Sequence, residues 1–142
     1  MPQLTLPATL ESLESLFRFN ASSVPAEYQS QKDNIDLVSE ELLVNVFSYA
    51  YPNGGGKAEV TLGPVFLDNE EYLCFSVRDW GQPFNPFAEV RDPDLTLEVE
   101  TRPIGGLGVY LIRKLTAHQF YCYCEGSNVI QVFFSRKPPE AA

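Results

Sequence analysis

Two segments in which apolar and polar residues alternate, separated by a polar turn, constrain the possible folds of this chain most strongly. The segments cover residues 57–63 and 72–79, and the sequence DNEE lies between them. The apolar positions that share one side are Ala58, Val60 and Leu62 in the first segment and Leu73, Phe75 and Val77 in the second. A two-residue period is typical of β-strands that bury one face. The pattern therefore predicts a β-hairpin whose inner face packs against another layer.

Helical spacing appears in three other segments. The longest covers residues 27–51, where apolar side chains recur every three or four positions until the sequence PNGGG ends the helix. Shorter helices are predicted at about residues 10–20 and 109–115. Further strands are predicted at residues 4–8 and in the pair FYCYCEG and NVIQVFFSR. The arrangement predicts an α/β fold, a two-layer sandwich in which helices cover one face of a mixed, mostly antiparallel sheet.

The length and the charge balance limit the classes of protein. A chain of 142 residues suits one domain, residues 1–142, with a tail at residues 136–142 that we expect to fray. The 19 acidic and 10 basic residues give a net charge of −9, whereas a nucleic-acid-binding protein carries a basic surface. No run of about 18 apolar residues and no signal peptide is present. We therefore expect a cytoplasmic protein with no nucleic-acid or membrane partner.

The three cysteines, Cys74, Cys122 and Cys124, form no CxxC motif. Cys122 and Cys124 are two residues apart in a predicted strand, so both side chains should lie on one side of it. Four ligands for a zinc ion are not evident. Because cysteine is among the most frequently buried residue types, we predict reduced, buried thiols.

A carboxylate and an amide lie one turn apart on the longest helix. Glu41 and Asn45 are four residues apart, which places them on one face beside the apolar stripe. An amide oxygen is a suitable ligand for Mg²⁺, and a nearby carboxylate can accept a proton from an attacking hydroxyl. The alternative is a solvated helix flank with no special role.

The end of the second alternating strand carries another candidate. Asp79 has the same parity as the apolar residues before it, so its carboxylate should point into the layer between sheet and helices. There it could accept a hydrogen bond from an adenine amino group, and Gly81 could let a flat ring approach the backbone. Alternatively, Asp79 bonds only to the turn that follows it.

Three glycines within four residues, Gly105, Gly106 and Gly108, precede the last predicted helix. The N-terminus of a helix offers free N–H groups and a partial positive charge, which suit a phosphate group. The sequence matches neither the Walker pattern nor GxGxxG. A glycine-rich turn without a ligand is the alternative.

The order of these motifs carries a resemblance. Helical ExxxN, strand-end DxGxxF and GGLG at a helix start resemble the N, G1 and G2 boxes of the GHKL ATPases, which include gyrase B, heat-shock chaperone ATPases, MutL and histidine kinases. Within this superfamily, EELLVNVFSYAYPNG, VRDWGQPFNPF and TRPIGGLGVYLIRKL are most similar to bacterial anti-sigma factor serine kinases of the RsbW type. EGSNVIQVFF resembles their closing strand pair. The resemblance covers about residues 5–136 and implies the Bergerat-type ATP-binding fold.

The resemblance also implies roles for individual residues. Glu41 would be the general base, Asn45 the Mg²⁺ ligand and Asp79 the adenine reader. The other residues implied in ATP binding are Gly81, Phe84, Arg102, Gly105, Gly106, Leu107, Gly108 and Ser127. Arg102 is a cation for phosphate or for a protein partner. The family often has histidine where this chain has Tyr49, and the single histidine, His118, is interpreted as a surface or packing residue.

The implied activity is that of an ATP-dependent serine/threonine-protein kinase that requires Mg²⁺. It would bind and inhibit a sigma factor, phosphorylate a small antagonist protein on Ser or Thr, and form a homodimer through its N-terminal segment. The alternative is a regulatory module without catalysis, in which ATP sets the conformation that binds a partner. The same motifs bind ATP in both, so the sequence leaves this choice open.

Overall fold

Five strands form one sheet in the order β1-β2-β3-β5-β4 in a computed structural model that describes residues 1–89 and 106–139. The strands are β1 (Gln3–Pro7), β2 (Lys57–Leu67), β3 (Glu70–Asp79), β4 (His118–Cys124) and β5 (Ser127–Phe134). All four pairings are antiparallel. The sheet that the structure describes is thus purely antiparallel rather than mixed, and the two-layer α/β fold is confirmed.

The predicted hairpin is formed by β2 and β3. Its register runs from Ala58 opposite Asp79 to Leu67 opposite Glu70. The turn consists of Asp68 and Asn69, whose φ angles of 52° and 67° are typical of the two-residue turns that match strand twist. Both strands are longer than the alternating pattern indicated: β2 continues to Leu67, and β3 begins with the last two residues of DNEE.

Helices cover one face of this sheet. They are α1 (Ser12–Ser23), a 3-10 helix (Ala26–Gln31), α2 (Lys32–Tyr49), the single-turn α3 (Pro86–Glu89) and α4 (Gly106–Leu115). Leu42 of α2, Phe75 of β3 and Ile112 of α4 are among the fully buried side chains at the centre of the core. Burying each such side chain stabilises the fold by roughly 1.5–3 kcal/mol.

The predicted long helix is divided at its start. Residues 26–31 form the 3-10 helix, and α2 begins only at Lys32. Tyr28 in this segment is fully buried, and its hydroxyl donates a hydrogen bond to Glu71 at 2.8 Å. The tighter turn follows Pro25 and brings the tyrosine ring into the core, which helical periodicity alone does not indicate.

Hydrogen bonds hold the start of the C-terminal tail. The Gln31 side chain donates to the backbone carbonyls of Ser135 and Lys137 at 3.0 and 2.9 Å, and the Ser30 hydroxyl donates to that of Arg136 at 2.9 Å. The chain is thus bound to the 3-10 helix beyond residue 136, where we expected fraying to begin. Residues 140–142 lie outside the described residues.

The cysteines differ in part from expectation. Cys74 is buried and free, and burial raises the pKa of its thiol to about 11, as expected for an inert thiol. The sulfur atoms of Cys122 and Cys124 are joined in a disulfide, so the prediction of reduced, buried thiols is wrong for this pair. Both side chains lie on the sheet face that the helices leave uncovered, and the shared side was predicted correctly.

Candidate functional site

The α2 helix carries Glu41, whose side chain reaches the start of α4, and Asn45, which lines a cavity at the end of β3. Both residues are half-buried, beside the buried Leu42 and Val46. Neither side chain forms a hydrogen bond within the part of the chain that the structure describes. Partial burial of two adjacent polar side chains without hydrogen-bond partners costs free energy, unless a ligand supplies the missing interactions. Their arrangement therefore differs from that of a plain solvated helix flank.

The carboxylate of Glu41 lies against Gly108, the third residue of α4. A Cβ atom built on Gly108 would overlap Oε2 of Glu41. Burial, followed by repulsion from Glu40, raises the pKa of Glu41 above its ordinary value. A carboxyl with a raised pKa is a better proton acceptor when ionised. Gly108 thus gives the carboxylate space at the entrance of α4, a requirement that was not predicted from the glycine pattern.

Asp79 ends β3 with its side chain turned into the molecule, as its parity predicted. It is 5% exposed, and its Oδ1 atom accepts hydrogen bonds from the Gly81 N–H and the Asn128 amide, each at 2.9 Å. Its Oδ2 atom has no partner among the residues described. Burial raises the pKa of Asp79, and the two hydrogen bonds partly oppose this shift. The turn interaction and an acceptor for a ligand therefore coexist.

Gly81 makes a close packing contact that was not predicted from the sequence. A Cβ atom at this position would overlap the backbone carbonyl oxygen of Ala50 and approach the Ala50 Cβ to 2.6 Å. The missing side chain therefore lets the end of α2 pack against the turn after β3. The close neighbour of Gly81 in this structure is the backbone of Ala50, and the approach of a flat ring to Gly81 stays a prediction.

Asn128 is the site residue that sequence reasoning missed. It is 2% exposed and lies opposite Asp79 in the β3–β5 register. Asn128 is two and four residues from the buried Ile130 and Val132, so its side chain lies on the same inner face of β5. A polar residue at such an inward position was the feature of the sequence that could have identified it. The predicted Ser127 is also buried, but its hydroxyl donates to the Cys124 carbonyl at 2.8 Å, and its side chain does not line the cavity described next.

Three of these residues, Asn45, Asp79 and Asn128, line one small cavity. It is lined by Asn45, Val46, Tyr49, Ala50, Asp79, Phe84, Pro86, Asn128 and Ile130. The rings of Tyr49 and Phe84 are stacked, with centroids 4.8 Å apart and an angle of 19° between their planes. Flat apolar walls with one buried carboxylate suit a planar ring that donates a hydrogen bond from its edge.

Several predicted residues fall at or beyond the limits of description. Arg102 and Gly105 lie outside the described residues. The backbone of Gly106 and Leu107 forms the first turn of α4, the kind of terminus that attracts phosphate. His118 is exposed, and its ring contacts Tyr72 edge-on at 5.1 Å, which fits a packing residue.

Comparison with known proteins identifies the class. Residues 6–133 match the family described as the histidine kinase-like ATPase domain. The chain belongs to this family, and membership implies ATP binding. Among solved structures, it is similar to the Acinetobacter baumannii histidine kinase AdeS, with 13% sequence identity and a TM-score of 0.44 over 96% of this chain and 68% of that chain. None of the curated proteins compared matches it.

No helix in the described ranges is long and apolar enough to cross a membrane.

Proposed function

We propose that this protein is an ATP-dependent serine/threonine-protein kinase that acts as an anti-sigma regulatory factor. The observation that carries the proposal is the placement of Glu41. Its unpaired carboxylate lies against Gly108 in the first turn of α4, one helical turn from Asn45 on the cavity wall. A proton acceptor is thus located beside the helix terminus that suits the phosphates.

In the proposed reaction, the hydroxyl oxygen of a Ser or Thr side chain attacks the γ-phosphorus of ATP. A bond forms between that oxygen and phosphorus, the bond to the β-phosphate oxygen breaks, and ADP leaves. Glu41 accepts the hydroxyl proton, and its raised pKa favours that step. Asp79 holds the adenine through Oδ2, and the N–H groups at the start of α4 bind phosphate oxygens.

The residues present fit a magnesium ion held with ATP. Asn45 supplies an amide oxygen without a hydrogen-bond partner among the described residues, and Mg²⁺ needs only one or two protein oxygens when phosphates and water complete its shell. The described part of the chain contains no cluster of three His, Cys, Asp or Glu side chains that could hold a metal alone. When bound, Mg²⁺ would neutralise charge on the phosphates.

The protein partners remain those implied by the motif resemblance. We propose a sigma factor and a small antagonist protein, with neither a nucleic-acid nor a membrane partner. The net charge of −9 supports basic protein surfaces as partners. We also propose a homodimer that uses the N-terminal segment, because β1 is an edge strand of the sheet and an edge strand can pair with another chain. We further propose a cytoplasmic location.

A regulatory module without catalysis is the second candidate. The observation that favours it is the closed cavity, in which Tyr49 stacks directly on Phe84. Entry of a nucleotide would displace one of these rings, and the displacement could alter a partner-binding surface near α2. In this case ATP would change partner affinity while no phosphate is transferred.

The two candidates are separated by incubating the protein with labelled ATP, Mg²⁺ and a small antagonist-type protein that has an exposed Ser or Thr. The kinase proposal expects label on that hydroxyl, dependent on Glu41. The matched control is Glu27→Gln, which removes an exposed carboxylate of the 3-10 helix and keeps the surroundings of Glu41. If ATP changes partner affinity but no label is transferred to any antagonist, the binding module is correct. If ATP neither labels the antagonist protein nor changes partner affinity, both candidates are wrong.

A further inference from the structure

We propose that Asn128 is a positioning residue that sets the base selectivity of the cavity by holding Asp79 as a hydrogen-bond acceptor. This inference rests on the proposed nucleotide-binding function. It concerns a residue to which the sequence analysis assigned no role, on the strand paired with β3.

Four hydrogen bonds determine the orientation of the Asn128 amide. Its Nδ2 atom donates to Asp79 Oδ1 and to the Gln82 carbonyl, both at 2.9 Å. Its Oδ1 atom accepts from the Phe84 N–H at 3.1 Å and from the Tyr121 hydroxyl at 2.5 Å. A side-chain amide has two donor hydrogens and one acceptor oxygen with two lone pairs. Both donor hydrogens and both lone pairs of the buried Asn128 amide therefore form hydrogen bonds within the protein.

The reversed amide is excluded by the same partners. Rotation by a half-turn would place the Asn128 oxygen against the Asp79 carboxylate and the Gln82 carbonyl. It would also place the NH₂ group against the Phe84 N–H. Each of these contacts lacks either a donor or an acceptor, and unpaired buried polar groups cost about 1–3 kcal/mol each. The amide therefore presents only its NH₂ side to Asp79.

This orientation decides what Asp79 can offer a ligand. The Asn128 amide and the Gly81 N–H both donate to Oδ1, which stabilises the ionised carboxylate and leaves Oδ2 as an acceptor. A base with an amino group at its edge can donate to Oδ2. A base with a carbonyl at the same place would oppose it with an acceptor, and the cavity would reject that base.

The test compares ATP with inosine triphosphate, which has a carbonyl where ATP has the amino group. Calorimetry of the parent protein with Mg²⁺ is expected to show a preference for ATP of about 10- to 100-fold, as for a hydrogen bond to a charged group. The decisive variants are Asn128→Thr and Asn128→Val, which have the same shape. The hydroxyl of the first can still donate to Asp79, whereas the second has no donor.

We expect Asn128→Thr to keep most of the preference. In Asn128→Val only the Gly81 N–H still donates to Asp79 Oδ1, so the ATP-to-inosine-triphosphate affinity ratio should fall well below that of the Thr variant. Thr116→Val is the control, because Thr116 is also buried, the exchange keeps its shape, and it does not line the cavity; its ratio should equal that of the parent. Equal ratios in the Thr and Val variants would overturn the inference, even if both bind ATP more weakly.

If Asn128→Val does not fold, the pair Asn128→Ser and Asn128→Ala replaces the Thr and Val variants. The serine hydroxyl is a hydrogen-bond donor and the alanine side chain has none, so the ratio should be higher in the serine variant. Equal ratios in this pair would then refute the role of Asn128. If the parent protein binds neither nucleotide, the proposed function itself fails, and this outcome is distinct from a parent that binds ATP without selectivity.

Discussion

The Oε2 atom of Glu41 occupies the space where a Cβ atom of residue 108 would lie. The contact joins the middle of α2 to the first turn of α4, which are distant in the sequence and neighbours in the core. A glycine in a helix costs roughly 1 kcal/mol relative to alanine. At residue 108 the absence of a side chain leaves room for the Glu41 carboxylate at the N-terminus of α4.

The first prediction concerns proton transfer by Glu41. Glu41→Gln keeps the size of the side chain and removes its ability to accept a proton. The rate of phosphate transfer to a confirmed substrate should fall by about 10²- to 10⁴-fold, with little change in ATP affinity by calorimetry. Because burial raises the pKa of Glu41, the parent rate should fall as the pH drops through that raised value. A variant that retains the parent rate would show that Glu41 is not the base.

The second prediction concerns Gly108→Ala, alone and combined with Glu41→Ala in a double-mutant cycle. The added methyl group displaces the flexible end of Glu41 rather than the backbone, so the protein should fold with a thermal midpoint at least equal to that of the parent. The transfer rate should fall because the carboxylate has moved. In a Glu41→Ala background the same change should cause no further loss of rate. Additive losses would mean that Gly108 acts on the phosphates independently of Glu41.

The third prediction concerns Asp79→Asn. The oxygen of the new amide would remain with the Gly81 and Asn128 donors, so its NH₂ group would face the adenine amino group. ATP affinity should fall by about tenfold or more, whereas Asp33→Asn, at an exposed position in the first turn of α2, should bind as the parent does.

The pH dependence gives an independent check of Asp79. Burial raises the pKa of this carboxyl, so protonation removes the acceptor at a higher pH than for an ordinary aspartate. The ratio of parent affinity to Asp79→Asn affinity should therefore shrink as the pH falls through that raised pKa. A ratio that stays constant over the acid range would contradict the assigned role.

A fourth prediction separates packing from ligand binding at Gly81. Gly81→Ala places a methyl group on the Ala50 backbone, which cannot move without shifting the end of α2. We expect the free energy of unfolding in urea to fall by about 1–3 kcal/mol, as for other overpacked sites. Gly63→Ala is the control, because the atoms nearest to its added methyl group belong to the flexible side chain of Met1. Equal stabilities for the two variants would show that the Gly81 contact is not important for folding.

Short-range periodicity was sufficient for the fold and for the direction of the main side chains. Alternation in residues 57–63 and 72–79 predicted the β2–β3 hairpin, and the parity of Asp79 placed its carboxylate inside. Helical spacing placed Glu41 and Asn45 on one flank of α2. These features depend on bond geometry within one element, which repeats every 2 or 3.6 residues whatever the rest of the chain does.

The sequence by itself therefore determined the elements, their buried faces and the order of the motifs. Only the tertiary structure decided which side chains meet. The contact of Glu41 with Gly108 depends on how α2 packs against α4, and the bond between Asp79 and Asn128 depends on the β3–β5 register. The packing of Gly81 on Ala50 and the 3-10 segment around Tyr28 arise in the same way. Periodicity indicates the side on which a residue lies but carries no information about which distant element covers that side, because that choice is made by packing and strand register over the whole molecule.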